Sequence, residues 1–159
     1  MERRQNEKWQ RPTQPSEPND PGPPRQKTDF SGEYALDRDA SKLEGGAAST
    51  RDAVLRIDHH EPMIRIDAKF VFYDQTFAWS MHRNLDGREM PDPSDPRTMS
   101  SLGRDGDALI FIHRTGAPGG DVTMRWRYEL EDSGRRLKAS EQIRGGGRDQ
   151  DNIWVFNRR

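Results

Sequence analysis

Val122-Thr123-Met124-Arg125-Trp126-Arg127-Tyr128-Glu129-Leu130 decides the fold. Every second residue is apolar: Val122, Met124, Trp126, Tyr128 and Leu130. Thr123, Arg125, Arg127 and Glu129 fall between them. A period of two puts the first set on one face of a β-strand and the second on the other. Downstream, Ser133-Gly134 predicts a turn, Leu137 to Ile143 a returning strand and Gly145-Gly146-Gly147 another turn. Asn152 to Asn157 is the last strand, with Trp154 and Phe156 on one face. Upstream, Gly116 to Gly120 is a loop. Before it, Ala108 to His113 contains the buried-looking run Leu-Ile-Phe-Ile.

The first half follows the same rule. Phe30 to Leu36 is a candidate strand. Ala53 to Asp58 puts Leu55 and Ile57 on one face. His59-His60-Glu61-Pro62 reads as a turn. Met63 to Tyr73 alternates Ile64, Ile66, Ala68, Phe70 and Phe72 with Arg65, Asp67 and Lys69. Asp74-Gln75 turns, and Thr76 to Arg83 aligns Phe77, Trp79 and Met81. Asp86-Gly87 has hairpin chemistry. Pro91, Pro93 and Pro96 predict a loop, and Arg97 to Leu102 a short polar strand. Only Asp37 to Leu43 offers a helical window, long enough for one short turn before Gly45-Gly46.

The total is eight or nine short strands on hairpin-length connections. Parallel pairing needs crossovers of a dozen or more residues, which are missing. The expected fold is therefore an all-β, antiparallel meander. Closing it into an up-and-down β-barrel over residues 30–159 hides the sheet edges best. A two-sheet sandwich is the rival architecture.

Phe30-Ser31-Gly32-Glu33-Tyr34, then Leu36-Asp37-Arg38-Asp39-Ala40-Ser41-Lys42, then a strand meander, resembles the small bacterial lipocalin-like proteins of the calycin group. Gly32 and Tyr34 stand where that group carries a Gly-x-Trp in its first strand. The resemblance covers about residues 29–159. It implies a barrel with an internal ligand, and an arginine near the last strand packed across the first-strand aromatic. Arg158 or Arg159 would fill that place against Tyr34.

Residues 1–29 differ in kind. They hold six of the 11 prolines and no Val, Ile, Leu, Phe or Ala. Trp9 is their only large apolar side chain. Such a segment buries too little surface to offset the entropy of ordering it, so a disordered, proline-rich arm is expected. It serves as a tether, or as a contact segment for a protein partner.

The chain has no cysteine, which excludes disulfides and thiolate chemistry. Its 26 basic and 27 acidic side chains balance, so no strong pull toward nucleic acid is expected. No apolar run approaches the roughly 18 residues of a membrane helix. The basic start lacks an apolar stretch after it and so is not a signal peptide as written. The expected location is cytoplasmic, or exported if the true start differs. The 21 arginines against 5 lysines suggest a GC-rich bacterial genome.

Phe70, Phe72, Trp79, Met81, Phe111, His113, Met124, Trp126 and Tyr128 fall on the expected inner faces. They are the candidate ligand-binding residues. Trp and Tyr offer flat apolar area with a polar handle, and Met adapts its shape. His113 or Arg83 would orient a polar end. The same residues also suit a plainly filled core, which would make the barrel a structural or interaction module instead. No catalytic motif is present, so non-catalytic binding of a small, mostly hydrophobic molecule is expected. An enzyme using His113 as base ranks last. Neither cofactor nor metal is expected: His59 and His60 are adjacent and so point to opposite faces of a strand. Arg125, Arg127, Arg65 and Arg56 share faces with Glu129, Asp67 and Asp58, as on an ordinary soluble sheet exterior.

Overall fold

The computed structural model describes residues 27–92 and 95–159. Ten strands form one antiparallel sheet. They are β1 (Gly32–Leu36), β2 (Thr50–His60), β3 (Met63–Phe72), β4 (Gln75–Asn84), β5 (Met90–Asp92), β6 (Asp95–Asp105), β7 (Ala108–Thr115), β8 (Val122–Glu131), β9 (Arg136–Arg144) and β10 (Gln150–Arg158). The spatial order is β4-β3-β2-β1-β10-β9-β8-β7-β6-β5. Strand β1 is therefore the seam between an N-terminal and a C-terminal group. The sheet curls until its ends face each other. Trp79 of β4 reaches Phe111 of β7 with ring centroids 5.7 Å apart. The proline-rich segment up to residue 26, including Trp9, lies outside the described residues.

The period-of-two reading holds along every long strand. Inner-face Leu55, Ile57, Ile64, Ile66, Leu102, Leu109, Leu137 and Phe156 are all buried. Outer-face charges pair across and along the strands. Arg127 Nη1 lies 2.6 Å from Asp105 Oδ2, and Arg65 Nε lies 2.9 Å from Asp67 Oδ2.

Four expectations need correction. There are ten strands, not eight or nine, because β5 lies in the proline-rich stretch read as a loop. An edge strand tolerates Pro91, whose missing N–H need not serve a second neighbour. Asp86-Gly87 does not close a hairpin. The Gly87 N–H donates to Leu102 O of β6 at 2.9 Å, so the link runs under the far edge of the sheet. Residues 37–43 form no helix. A single turn of 3-10 helix follows instead, at Gly45–Ser49. The Asp37 N–H donates to Val155 O at 2.7 Å, and Lys42 bridges Ile153, so this segment covers the outer side of β10 and buries Val155. Finally, His59 and His60 belong to β2, and His59 is buried rather than solvated.

One end of the barrel is plugged. Phe30 is fully buried there. Its N–H donates to His59 Nδ1 at 3.1 Å, and its carbonyl accepts the Tyr34 hydroxyl at 2.8 Å. Because Nδ1 accepts, His59 carries its proton on Nε2, 3.1 Å from Glu61 Oε1. Arg104 donates through Nε to the same Glu61 oxygen at 2.8 Å and through Nη2 to Thr28 O at 3.2 Å. Burial pushes the Glu61 carboxyl up, but the Arg104 and His59 hydrogen bonds outweigh it and hold it low.

The seam itself is fixed by Tyr34 and Arg158, which are paired in register. Arg158 Nη2 donates to the Tyr34 hydroxyl at 2.7 Å, and its guanidinium lies 5.2 Å from the ring centre. This is the arginine expected from the lipocalin-like resemblance. Gly32 makes the arrangement possible: a Cβ there would sit 3.3 Å from the Arg158 guanidinium carbon, at a φ of +153°. Gly32→Ala should therefore lower stability by about 1–3 kcal/mol. Urea unfolding monitored by tryptophan fluorescence would read this. An unchanged midpoint would mean that Arg158 does not hold the seam.

Candidate functional site

The opposite end of the barrel is built differently. Ladder registers set its inner face in rows. One row is Leu102, Phe111, Trp126, Glu141 and Asn152. The next row toward the opening is Ser100, His113, Met124 and Ile143. On the other wall, Ala53, Phe70 and Phe77 form one row, and Leu55, Ala68 and Trp79 another.

All nine candidate residues read from the sequence lie on this inner face, but in two environments. Met81, Phe111 and Tyr128 are buried. Phe70, Phe72, Trp79, His113, Met124 and Trp126 are only partly buried. A large side chain that faces inward and still meets solvent borders open space. The partly buried set therefore borders solvent and the buried set does not, although Phe111 lies in the same row as Trp126. Phe77 shares the phase of Trp79 and Met81 but is 57% exposed, at the outer end of edge strand β4.

The rings make a continuous wall. Phe72 stacks on Phe70 at 6.2 Å, and Phe70 meets Trp154 edge-on at 5.5 Å. Trp154 lies 6.0 Å from Trp126, which stacks on Tyr128 at 5.9 Å. Both environments favour neutral forms. Burial pushes the Tyr128 phenol far up and the His113 imidazole down; Asp92 and Asp95 pull His113 back up by less, and Arg83 adds to the lowering. At neutral pH His113 is an uncharged hydrogen-bonding group beside Phe111, 5.9 Å ring to ring.

Sequence reasoning missed the polar members of the wall. Glu141 is 5% exposed and Asn152 1%. Asn152 Nδ2 donates to Glu141 Oε1 at 2.7 Å, while Asn152 Oδ1 accepts the Glu44 N–H at 2.7 Å. The Trp154 indole N–H lies against the same carboxyl, but its geometry falls short of a hydrogen bond, so the buried nitrogen is unpaired. Thr50 Oγ1 is also buried and unpaired. The signal for Glu141 was available: it is in phase with Leu137 and Ala139 on one face of its strand.

An open groove of about 550 Å³ crosses the outer face of β1–β4. Among its charges, Asp67 is paired with Arg65 and Glu33 with Arg159. Among the described residues no three His, Asp or Glu side chains are grouped to hold a metal ion.

No protein-family model matches the chain, and no curated protein matches its sequence. Solved structures do match its shape. The wild-type fluorescent protein UnaG superposes with a TM-score of 0.57 at 16% identity, over 82% of this chain and 97% of that one. The REP1-NXSQ fatty acid transporter gives 0.56 at 13% identity, over 82% and 96%. Zebrafish ileal bile acid-binding protein, complexed with cholic acid, gives 0.54 at 12% identity, over 82% and 98%. The likeness shows that the chain shares the antiparallel β-barrel fold of these proteins. A secretory abundant heat soluble protein from Ramazzottius varieornatus has the same shape, at 0.57 and 12% identity. At these identities the likeness establishes architecture alone.

Burial pushes the Glu141 carboxyl above its ordinary 4.5, against the opposing effect of Asn152 and Trp154. A carboxyl raised on folding favours the folded state only while protonated. Stability is thus full below about pH 4.5 and falls as pH rises through the folded value. Glu141→Gln keeps the Asn152 bond and removes that loss. It should match the wild type at pH 4 and melt higher than it at pH 7–8. A wild type more stable than the variant at pH 8 would show that the ionised carboxylate is well compensated.

Proposed function

We propose that this barrel binds one small, mostly hydrophobic molecule through its open end, without catalysis. The reading is carried by one observation: six large inward-facing side chains, Phe70, Phe72, Trp79, His113, Met124 and Trp126, remain only partly buried. A filled barrel would have buried them, since each Leu-sized or larger side chain gains about 1.5–3 kcal/mol on full burial. An apolar ligand completes that burial. The architecture of a fatty acid transporter and of a bile acid-binding protein holding cholic acid supports the reading by analogy. His113, neutral and at the rim, orients a polar group of the ligand.

Native mass spectrometry of the full chain, followed by denaturing extraction, tests this. A reproducible adduct lost on denaturation identifies the ligand class. A bare mass, with no thermal shift on adding fatty acids, retinoids or haem, sinks the reading and favours the interaction module. The two environments also predict a split among variants. Phe111→Ala, in the buried set, should cost about 3–5 kcal/mol of stability. Trp126→Ala or Trp79→Ala, at the mouth, should cost clearly less stability but weaken ligand binding at least about tenfold.

A further inference from the structure

Glu141 is the one buried acidic side chain among the described residues. Among the described residues it has one hydrogen bond of good geometry, from Asn152, and no Lys or Arg pairs with it. The nearby arginines on β8, Arg125 and Arg127, alternate to the outer face, where Arg127 binds Asp105 and Glu129. Of the basic residues on the inner face, Arg104 is held by Glu61 and Arg158 by Tyr34 at the plugged end, while Arg83, in the ladder row of His59 and Ile64, acts on His113 rather than on Glu141. A buried carboxyl without a cation is a costly arrangement.

Its surroundings are suited to a cation. Trp126 is directly across the ladder from Glu141, and Trp154, Phe70 and Phe72 extend the same wall. Aromatic faces attract ammonium groups, most strongly when water is excluded. Trp154 Nε1 also faces the carboxyl, without a hydrogen bond of good geometry. A carboxylate headgroup there would meet a like charge as soon as Glu141 ionised.

Resting on the binding reading above, we propose that the ligand is a cationic amphiphile, a protonated amine on an apolar body, with its ammonium at Glu141 and its body along the Trp126–Trp154–Phe70 wall. The ammonium supplies the counter-charge the carboxyl lacks, and the rings supply cation–π contact. The structure therefore favours a headgroup of opposite sign to that of cholic acid.

The test uses the full chain at pH 7, with the neutral dye Nile red as reporter. Dodecylammonium, dodecanoate and dodecanol, which share one chain and differ in headgroup, compete for the dye. Dodecylammonium should bind at least about tenfold tighter than dodecanol, as expected of a charge-assisted contact. Glu141→Gln, checked by thermal melting, should abolish that preference, so that dodecylammonium and dodecanol compete equally. Dodecanoate binding best, the three competing equally, or a preference that survives Glu141→Gln would overturn the amine proposal and leave the barrel reading standing. The wild-type comparison alone decides the first two outcomes if the variant does not fold. Absence of both dye uptake and competition would overturn the barrel reading itself.

Discussion

The five residues of β1 hold the molecule together. Strands β2, β3 and β4 form one ladder, and β5 to β10 another. Only β1 joins them, with Tyr34 opposite Leu55 on one side and Arg158 on the other. A strand this short offers few backbone hydrogen bonds, so side chains reinforce the seam. The Tyr34 hydroxyl gives its proton to Phe30 O and accepts one from Arg158. One buried oxygen thereby fixes the plug, the first strand and the last. The glycine two residues earlier keeps the space above the ring free for the guanidinium.

From that seam the barrel divides into two ends of opposite character. The plugged end satisfies its polar groups within the protein: His59, Glu61, Arg104 and the Thr28 carbonyl form one connected set. The open end leaves its polar groups unfinished. Among the described residues, Thr50 Oγ1 and Trp154 Nε1 have no hydrogen bond of good geometry, and no Lys or Arg pairs with Glu141. Buried polar groups are normally satisfied, so each exception calls for an explanation. Stability is thus built at one end, and chemical incompleteness is kept at the other.

The strand pattern was legible because one-sided burial imprints a period of two, and this sheet is buried on its inner face nearly everywhere. Val122 to Leu130 could be read residue by residue. So could the aromatic wall, and even the Arg158–Tyr34 contact, through the resemblance of Gly32-x-Tyr34 to a first-strand signature. What escaped did so for physical reasons. Strand β5 is three residues long, contains Pro91 and sits at an edge, where ladder bonding is optional on one side. His59 looked solvated because polar residues surround it in sequence, whereas Phe30 and Arg104, which enclose it, come from 29 and 45 residues away. Glu141 and Asn152 were passed over because charge and amide suggest an exterior. In this barrel they are in phase with Ala139 and Trp154 instead.

The pairing of Tyr34 with Arg158 spans 124 residues of sequence. Neighbouring hairpins such as β8–β9 need only local contacts and close early, whereas so distant a pairing must await a large loss of chain entropy. During synthesis β1 emerges before β2 to β9, and its partner β10 only after them. Until then β1 carries an unpaired edge and Tyr34 lacks its arginine. The ring is therefore sealed only after translation has passed β10, and the half-finished sheet must survive in the cell with that edge exposed.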